Sequence, residues 1–294
     1  MIKARNIYKN YGDFEVLRGL SFTVNEGDVC GFLGVNGSGK STSIKILLNL
    51  IRASSGSFEF YNYPIKFGDY NYLEKIGALI ERPDFYEHFS AKKNLTILSK
   101  YYRSRISNKR IEEVIDFVGL SDRANDRVAN FSMGMKQRLG IAQSIMHKPS
   151  LLILDEPSNG LDPKAQIEML ELIKQLNSEF NTTIIFSTHQ LNEVQQVSNR
   201  MVIINEGKTF KEGTVSEFSD SLKTYYKIYI SGKKDDLNLN KRFHVIRYEE
   251  NFIEIQANKS ELSTILNIIL KSSNSIEKIE SRNNLEQYFL NTIS

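Results

Sequence analysis

The stretch Gly34-Val35-Asn36-Gly37-Ser38-Gly39-Lys40-Ser41-Thr42 fits the pattern G-x-x-x-x-G-K-[ST] and leaves the chain few ways to fold. It follows the apolar run Val29 to Leu33, which reads as a strand, and precedes Ile44, Leu47, Leu48 and Ile51, whose spacing reads as a helix. A glycine-rich turn between strand and helix points backbone N–H groups inward, and the positive end of the helix dipole faces the same spot. Phosphate oxygens satisfy both. Lys40 then reaches the β and γ phosphates of a nucleotide, and Ser41 offers its hydroxyl to Mg²⁺. From background Gly and Lys usage the pattern arises by accident in roughly one chain of this length in a hundred.

At 294 residues the expectation is one large α/β domain with a smaller one attached. Lys and Arg number 38 against 35 Asp and Glu, a formal +3, too balanced to imply a nucleic-acid partner by charge. The single Cys30 cannot form an internal disulfide, which suits a reducing compartment. No window approaches 18 consecutive apolar residues and the N-terminus lacks a signal-peptide pattern. The chain is therefore expected neither to span a membrane nor to be exported by that route, and another polypeptide must do any spanning.

Strands are expected at Ile2 to Ile7, Val16 to Val24 and Val29 to Leu33, then at Gly56 to Phe60 and Leu73 to Ile80, the last two joined by a Tyr- and Asn-rich loop. Tyr11 lies in a polar turn, where it is either a stacking surface for a nucleobase or an edge-strand aromatic. From Ser90 to Leu120 the period turns helical, with Ser107 or Asn108 as a cap and Gly119 near the helix end. Phe131 to Arg138 opens a further helix, and Ser132 with Gly134 reads in isolation as its N-cap. Leu151 to Leu154 is a strand of the kind buried on both faces of a parallel sheet, followed at once by Asp155 and Glu156. Asp155 suits Mg²⁺, and strand alternation aims Glu156 at a water beyond the γ phosphate. An amphipathic helix carrying Ile167, Leu170, Ile173, Leu176 and Phe180 on one side leads to the strand Thr183 to Phe186 and then Ser187-Thr188-His189. His189 stands at a strand end where open α/β sheets put ligand chemistry, whereas His88, His147 and His244 read as surface or boundary residues. Two more strands, Arg200 to Asn205 and Thr209 to Phe210, turn at Glu206-Gly207.

From about Ser219 the pattern changes to a small α+β module: strands at Tyr225 to Ile230, Phe243 to Tyr248, Phe252 to Gln256 and Ile276 to Glu280, and a helix over Leu262, Ile265, Leu266 and Ile269. A terminal helix carries Leu285, Tyr288 and Phe289, and Lys233-Lys234-Asp235-Asp236 reads as a solvated loop. The module carries no chemical motif.

Over residues 1 to 215 the set Tyr11, 34 to 42, 131 to 135, Asp155 with Glu156, Asp162 and His189 resembles the nucleotide-binding subunit of an ATP-binding cassette (ABC) transporter. The resemblance implies a phosphate-loop (RecA-like) cassette over 1–218 with an antiparallel β subdomain and a helical insert at about 84–148, followed by an accessory module over 219–294. It further implies ATP hydrolysis by two copies enclosing two ATP. The base would rest on Tyr11 and the phosphates on Gly34, Asn36, Gly37, Ser38, Gly39, Lys40, Ser41 and Thr42. Mg²⁺ would be held by Ser41 and Asp155, with Glu156 as base and His189 on the γ phosphate. Ser132 and Gly134 of one copy would meet the γ phosphate held by the other.

Two departures stand out. Met133 and Met135 replace the signature's usual second Gly and terminal Gln, and Glu81 stands where most of the family places a Gln that contacts Mg²⁺ and the attacking water. Yet Ile76 to Tyr86 and Phe131 to Ala142 look like the corresponding runs of bacitracin exporters and lantibiotic self-immunity exporters. That narrower resemblance implies a peripheral subunit on the cytoplasmic face of the cell membrane. It would drive a separate polytopic membrane subunit docked on the helical insert, with no nucleic acid as partner. Alternatives are an exporter of an unrelated compound and a soluble ABC ATPase acting on ribosomes or DNA.

Overall fold

The computed structural model describes residues 1–221, 224–231, 239, 242–249, 251–272 and 275–282. It divides into two compact units, Met1–Gly213 and Thr214–Ser294. The first begins with a long antiparallel pair, β1 (Ile2–Tyr11) and β2 (Phe14–Val24). β3 (Val29–Leu33) leads through the phosphate loop into α1 (Lys40–Leu47). β4 (Ser55–Phe60) and β5 (Tyr63–Ile65) complete an antiparallel sheet in the order β2-β1-β4-β5. After β6 (Ile76–Leu79) come α2 (Ala91–Leu98), α3 (Asn108–Phe117) and α4 (Met133–Ile145). β7 (Leu151–Asp155), α5 (Pro163–Phe180), β8 (Thr183–Thr188), α6 (Leu191–Val197) and the hairpin of β9 (Arg200–Asn205) and β10 (Lys208–Thr214) finish the unit.

The second sheet runs β10-β9-β3-β8-β7-β6, and β9, β3, β8, β7 and β6 are parallel. Its register sets Leu33 beside Thr188 and Asp155 beside Ser187, so the C-terminal ends of β3, β7 and β8 deliver their loops to one edge. Every residue of these three strands is buried, Cys30 among them. Each large side chain so buried contributes about 1.5–3 kcal/mol. Helix starts follow from short polar side chains: Ser90, Ser107 and Asp162 accept from the N–H of Lys93 (3.2 Å), Arg110 (3.1 Å) and Ala165 (3.0 Å). Ser107, rather than Asn108, is thus the cap of α3.

Several expectations need correction. Leu73 to Lys75 is not strand: Asn71–Lys75 forms a 3₁₀ turn, started by Asp69, whose carboxylate accepts from the Asn71 N–H, and held by the Tyr72 hydroxyl donating to Leu47 O at 2.6 Å. Inside the Tyr- and Asn-rich loop lies β5, turned back onto β4 by Tyr61 and Asn62, both at positive φ. α1 ends before Ile51, and β1 extends to Tyr11, which closes a strand rather than sitting in an open turn. On α5, Ile167 is 56% and Phe180 46% exposed, and the buried stripe is Met169, Leu170, Leu172, Ile173 and Leu176.

The second unit holds α7 (Val215–Ser221), β11 (Thr224–Ser231), β12 (His244–Tyr248), β13 (Phe252–Ala257), α8 (Lys259–Lys271) and β14 (Ser275–Arg282). Its antiparallel sheet runs β12-β13-β11-β14 around a core that includes Ile228, Ile253, Ile255, Ile265 and Ile269. The expected terminal helix and the Lys233 to Asp236 loop lie outside the described residues.

β6 and α4 touch through a gap only glycine fills: a Cβ on Gly77 would lie 2.1 Å from Ser144 O. Gly77→Ala must push helix from strand, and its urea midpoint is expected to fall by the equivalent of about 1–3 kcal/mol.

Candidate functional site

The phosphate loop is anchored by its backbone: Gly34 N–H donates to Thr188 O (3.2 Å), and Ser38 O accepts from Gly207 N–H (3.0 Å). Gly39 caps α1 at φ 106°, where a Cβ would come 2.6 Å from Leu17 Cδ2, so both conformation and space demand glycine there. Lys40 is 4% exposed. Its ammonium donates to Gly34 O (2.8 Å) and Val35 O (3.1 Å) inside the loop. Burial holds it below the ordinary lysine value, while Glu156 and Asp155 pull it back up.

At the end of β7 the Asp155 carboxylate is buried and accepts from the Ser187 hydroxyl, which in turn accepts the Glu156 N–H at 2.9 Å. The chain then leaves the strand with Glu156 at φ 48°. Glu156 Oε1 lies 3.7 Å from Lys40 Nζ and 3.9 Å from His189 Nδ1, and Oε2 accepts from Asn159 Nδ2 at 2.9 Å. A cavity of about 430 Å³ brings Asn36, Ser41, Glu81, Gln137, Asp155 and Glu156 together. A larger one, about 530 Å³, opens beside Arg52, Ser57 and Lys66 with no acid in its lining, so volume alone does not mark the site.

Glu81, at φ 59° just past β6, pairs with Lys45 of α1 at 2.8 Å. That ammonium draws the Glu81 carboxyl below its usual range. Among the described residues no three His, Cys, Asp or Glu side chains gather as a metal cluster. Tyr11 is 52% exposed, with Lys9 Nζ 4.6 Å from its ring centroid. Ser132 caps α4, its hydroxyl accepting from Met135 N–H at 3.3 Å. Ser132 and Gly134 line another cavity, about 360 Å³, whose lining shares Gly160 with that of the carboxylates. Within one chain, therefore, the phosphate loop, Asp155, Glu156, Glu81 and His189 converge, and Ser132 and Gly134 stand apart.

These groups suit a triphosphate. Lys40 is a cation disfavoured by burial that an anion relieves, and among the described residues the buried Ser38 hydroxyl has no hydrogen-bond partner. They also suit Mg²⁺, since Ser41 and Asp155 offer hard oxygen donors to one cavity. Sequence reasoning passed over Asn159, Ser187 and Lys45, and gave no role to Gln137, whose buried Oε1 has no partner among the described residues. Only contacts reveal them: each is a common polar residue beside, rather than inside, a recognisable pattern.

A strand, glycine loop and helix carrying Lys40 before an acidic strand end define a phosphate-loop nucleotide-binding protein. A family profile described as ABC transporter matches residues 17–159. The chain is 36% identical over 298 residues to the bacitracin transport ATP-binding protein BcrA of Bacillus licheniformis, covering 100% of this chain and 97% of that one. It is 33% identical to the protein of the same name from Enterococcus faecalis, over 98% and 95% of the two chains. The linearmycin resistance ATP-binding protein LnrL of Bacillus subtilis is 37% identical over 79% of this chain and 76% of its own. Among solved structures, a dimeric post-hydrolysis state of an ATP-binding cassette bound to ADP and Pi superposes with a TM-score of 0.65 at 25% identity, covering 73% of this chain and 99% of that one. cbiO1 from Clostridium perfringens, part of the transporter complex cbiONQ, gives 0.68 at 27%, over 74% and 89%. The chain belongs to the ABC transporter family, as an ATP-binding, ATP-hydrolysing subunit. Among the described residues no helix is long and apolar enough to cross a membrane.

Because Lys40 is held in its site against burial, Lys40→Met should separate binding from stability. Without nucleotide its thermal midpoint is expected to stay within about 2 °C of the parent, while the rise of several degrees that saturating ATP and magnesium give the parent disappears.

Proposed function

We propose that two copies of this chain close around two ATP and drive a separate polytopic membrane subunit from the cytoplasmic face of the cell membrane, exporting a peptide antibiotic of bacitracin or lantibiotic type for immunity or resistance. The observation that carries the hydrolytic part is the position of Glu156, one carboxylate oxygen shared between Lys40 and His189 and the other held by Asn159. Glu156 orients the attacking water or takes its proton, and Asn159 keeps the carboxylate from rotating away. Lys40 and the loop N–H groups from Gly37 to Thr42 neutralise phosphate charge, and His189 holds the γ phosphate; positioning and electrostatics supply most of the barrier lowering. Ser41 and Asp155 would hold Mg²⁺, which would supply positive charge to offset that of the phosphates. Glu81 lines the same cavity, with Lys45 matching its charge so that a third carboxylate is tolerated beside phosphate.

The Tyr11 ring, exposed at the end of β1, would carry the base. Ser132 and Gly134, set apart in one chain, meet the γ phosphate only across a pair, and hydrolysis then removes what bridges the two copies. The solved cassette dimer, at 25% identity, supports that pairing. The substrate class is supported by full-length similarity to bacitracin transport proteins of two organisms.

Glu156→Gln tests the chemistry: turnover should fall by about a hundredfold or more while ATP binding persists, and the variant with ATP should elute as a dimer in size-exclusion chromatography. Parental turnover would remove Glu156 from its role. For the substrate class, the chain co-expressed with its membrane protein in a bacitracin-sensitive host should raise the inhibitory concentration of bacitracin, and Glu156→Gln should abolish the gain. A gain that the variant retains would argue against ATP-driven export.

A further inference from the structure

Glu193, the third residue of α6, is 5% exposed, and the chemistry described so far does not use it. Its Oε1 accepts from the Ser158 hydroxyl and its Oε2 from the Thr188 hydroxyl at 2.5 Å, both donors being 3% exposed. Thr188 Oγ1 also accepts the Gln190 N–H at 3.0 Å, so Glu193 holds Thr188 directly and Gln190, on the other side of His189, through the Thr188 hydroxyl. Ser158 directly precedes Asn159, whose amide fixes Glu156. Burying a carboxyl where apolar residues would pack at no desolvation cost is unfavourable for stability alone. Its two oxygens are spent on the two loops that carry the reacting groups.

We propose that Glu193 is a positioning residue for ATP hydrolysis, its carboxyl coupling the Ser158–Asn159 turn to Thr188 so that Glu156 and His189 are aimed as one body. This rests on the roles given to Glu156 and His189 above. A second link, Ser187 between Asp155 and the Glu156 N–H, joins the strand ends independently. Loss of Glu193 therefore loosens the two loops and leaves Lys40, the phosphate loop and Asp155 in place.

The test is Glu193→Gln in the full chain, which keeps the size but turns one acceptor into a donor. kcat should fall about tenfold or more, with KM for ATP and the affinity for a fluorescent ATP analogue within about threefold of the parent. Combined with His189→Ala, the loss should fall short of the product of the two single losses by roughly tenfold, because both act on one assembly. Parental kcat, or losses that simply multiply, would overturn the proposal. Should Glu193→Gln not fold, Thr188→Val, which keeps the side-chain shape and deletes one hydroxyl, reads the same: a lower kcat at unchanged affinity supports the coupling, and a parental kcat refutes it. The two readings fail separately, since Glu156→Gln at the parental rate sinks the base, whereas Glu193 stands or falls on the split between turnover and affinity.

Discussion

An ammonium group almost without solvent, Lys40 Nζ, is the constraint to which the first unit answers. Held by two loop carbonyls and one carboxylate, it sits where a lysine is least comfortable. That arrangement needs a tight strand-to-helix turn to wrap the side chain. It also needs an acid at the end of a neighbouring strand and enough buried sheet to keep both from drifting. The parallel order β3-β8-β7 provides this, placing Asp155 and Glu156 one strand beyond His189 and two from the loop. An anion bound at the loop thus meets a cation that burial has stripped of water and that two carbonyls and Glu156 hold in place.

The parts legible in the sequence were those whose signal is local or periodic. Val29 to Leu33, Leu151 to Leu154 and Thr183 to Phe186 are short apolar runs because strands buried on both faces have no solvent side to mark. The strands β11 and β13 and the helix α8 of the second unit are legible because their apolar positions alternate or recur at helical spacing. β5 escaped because three residues containing Pro64 carry no alternation, and their pairing rests on the turn at Tyr61 and Asn62. The Asn71–Lys75 turn escaped because Asp69 and Tyr72 hold it with side-chain bonds that no period encodes. Ile167 and Phe180 fit the helical period yet stay exposed, since the stripe of α5 that faces the core is centred on Leu172, Ile173 and Leu176.

Within the site the division is similar. Lys40, Asp155, Glu156 and His189 are visible because strand ends and the glycine loop announce them, whereas their supports are ordinary Ser, Thr, Asn and Glu residues. Ser187 serves both acids through one hydroxyl, donating to Asp155 and accepting from the Glu156 backbone. A hydroxyl can do this because it is donor and acceptor at once, while a carboxylate or ammonium in its place would satisfy one side and repel or orphan the other.

Charge explains the least conventional position. Glu81 adds a negative group to a cavity already lined by Asp155 and Glu156, where bound phosphate adds more, and a neutral Gln would avoid the repulsion. Here the cost is met from α1: Lys45 extends toward Glu81 and draws its carboxyl below the usual range. Lys45 lies five residues after Lys40 on the same helix, so one short helix supplies a buried cation at the phosphate loop and a half-buried one that pairs with Glu81. The exposed pair contributes little to folding, because solvent screens it. Its consequence is local neutrality at Glu81, so that the pair adds no net charge to a cavity where Lys40, already matched by Glu156, meets the phosphates.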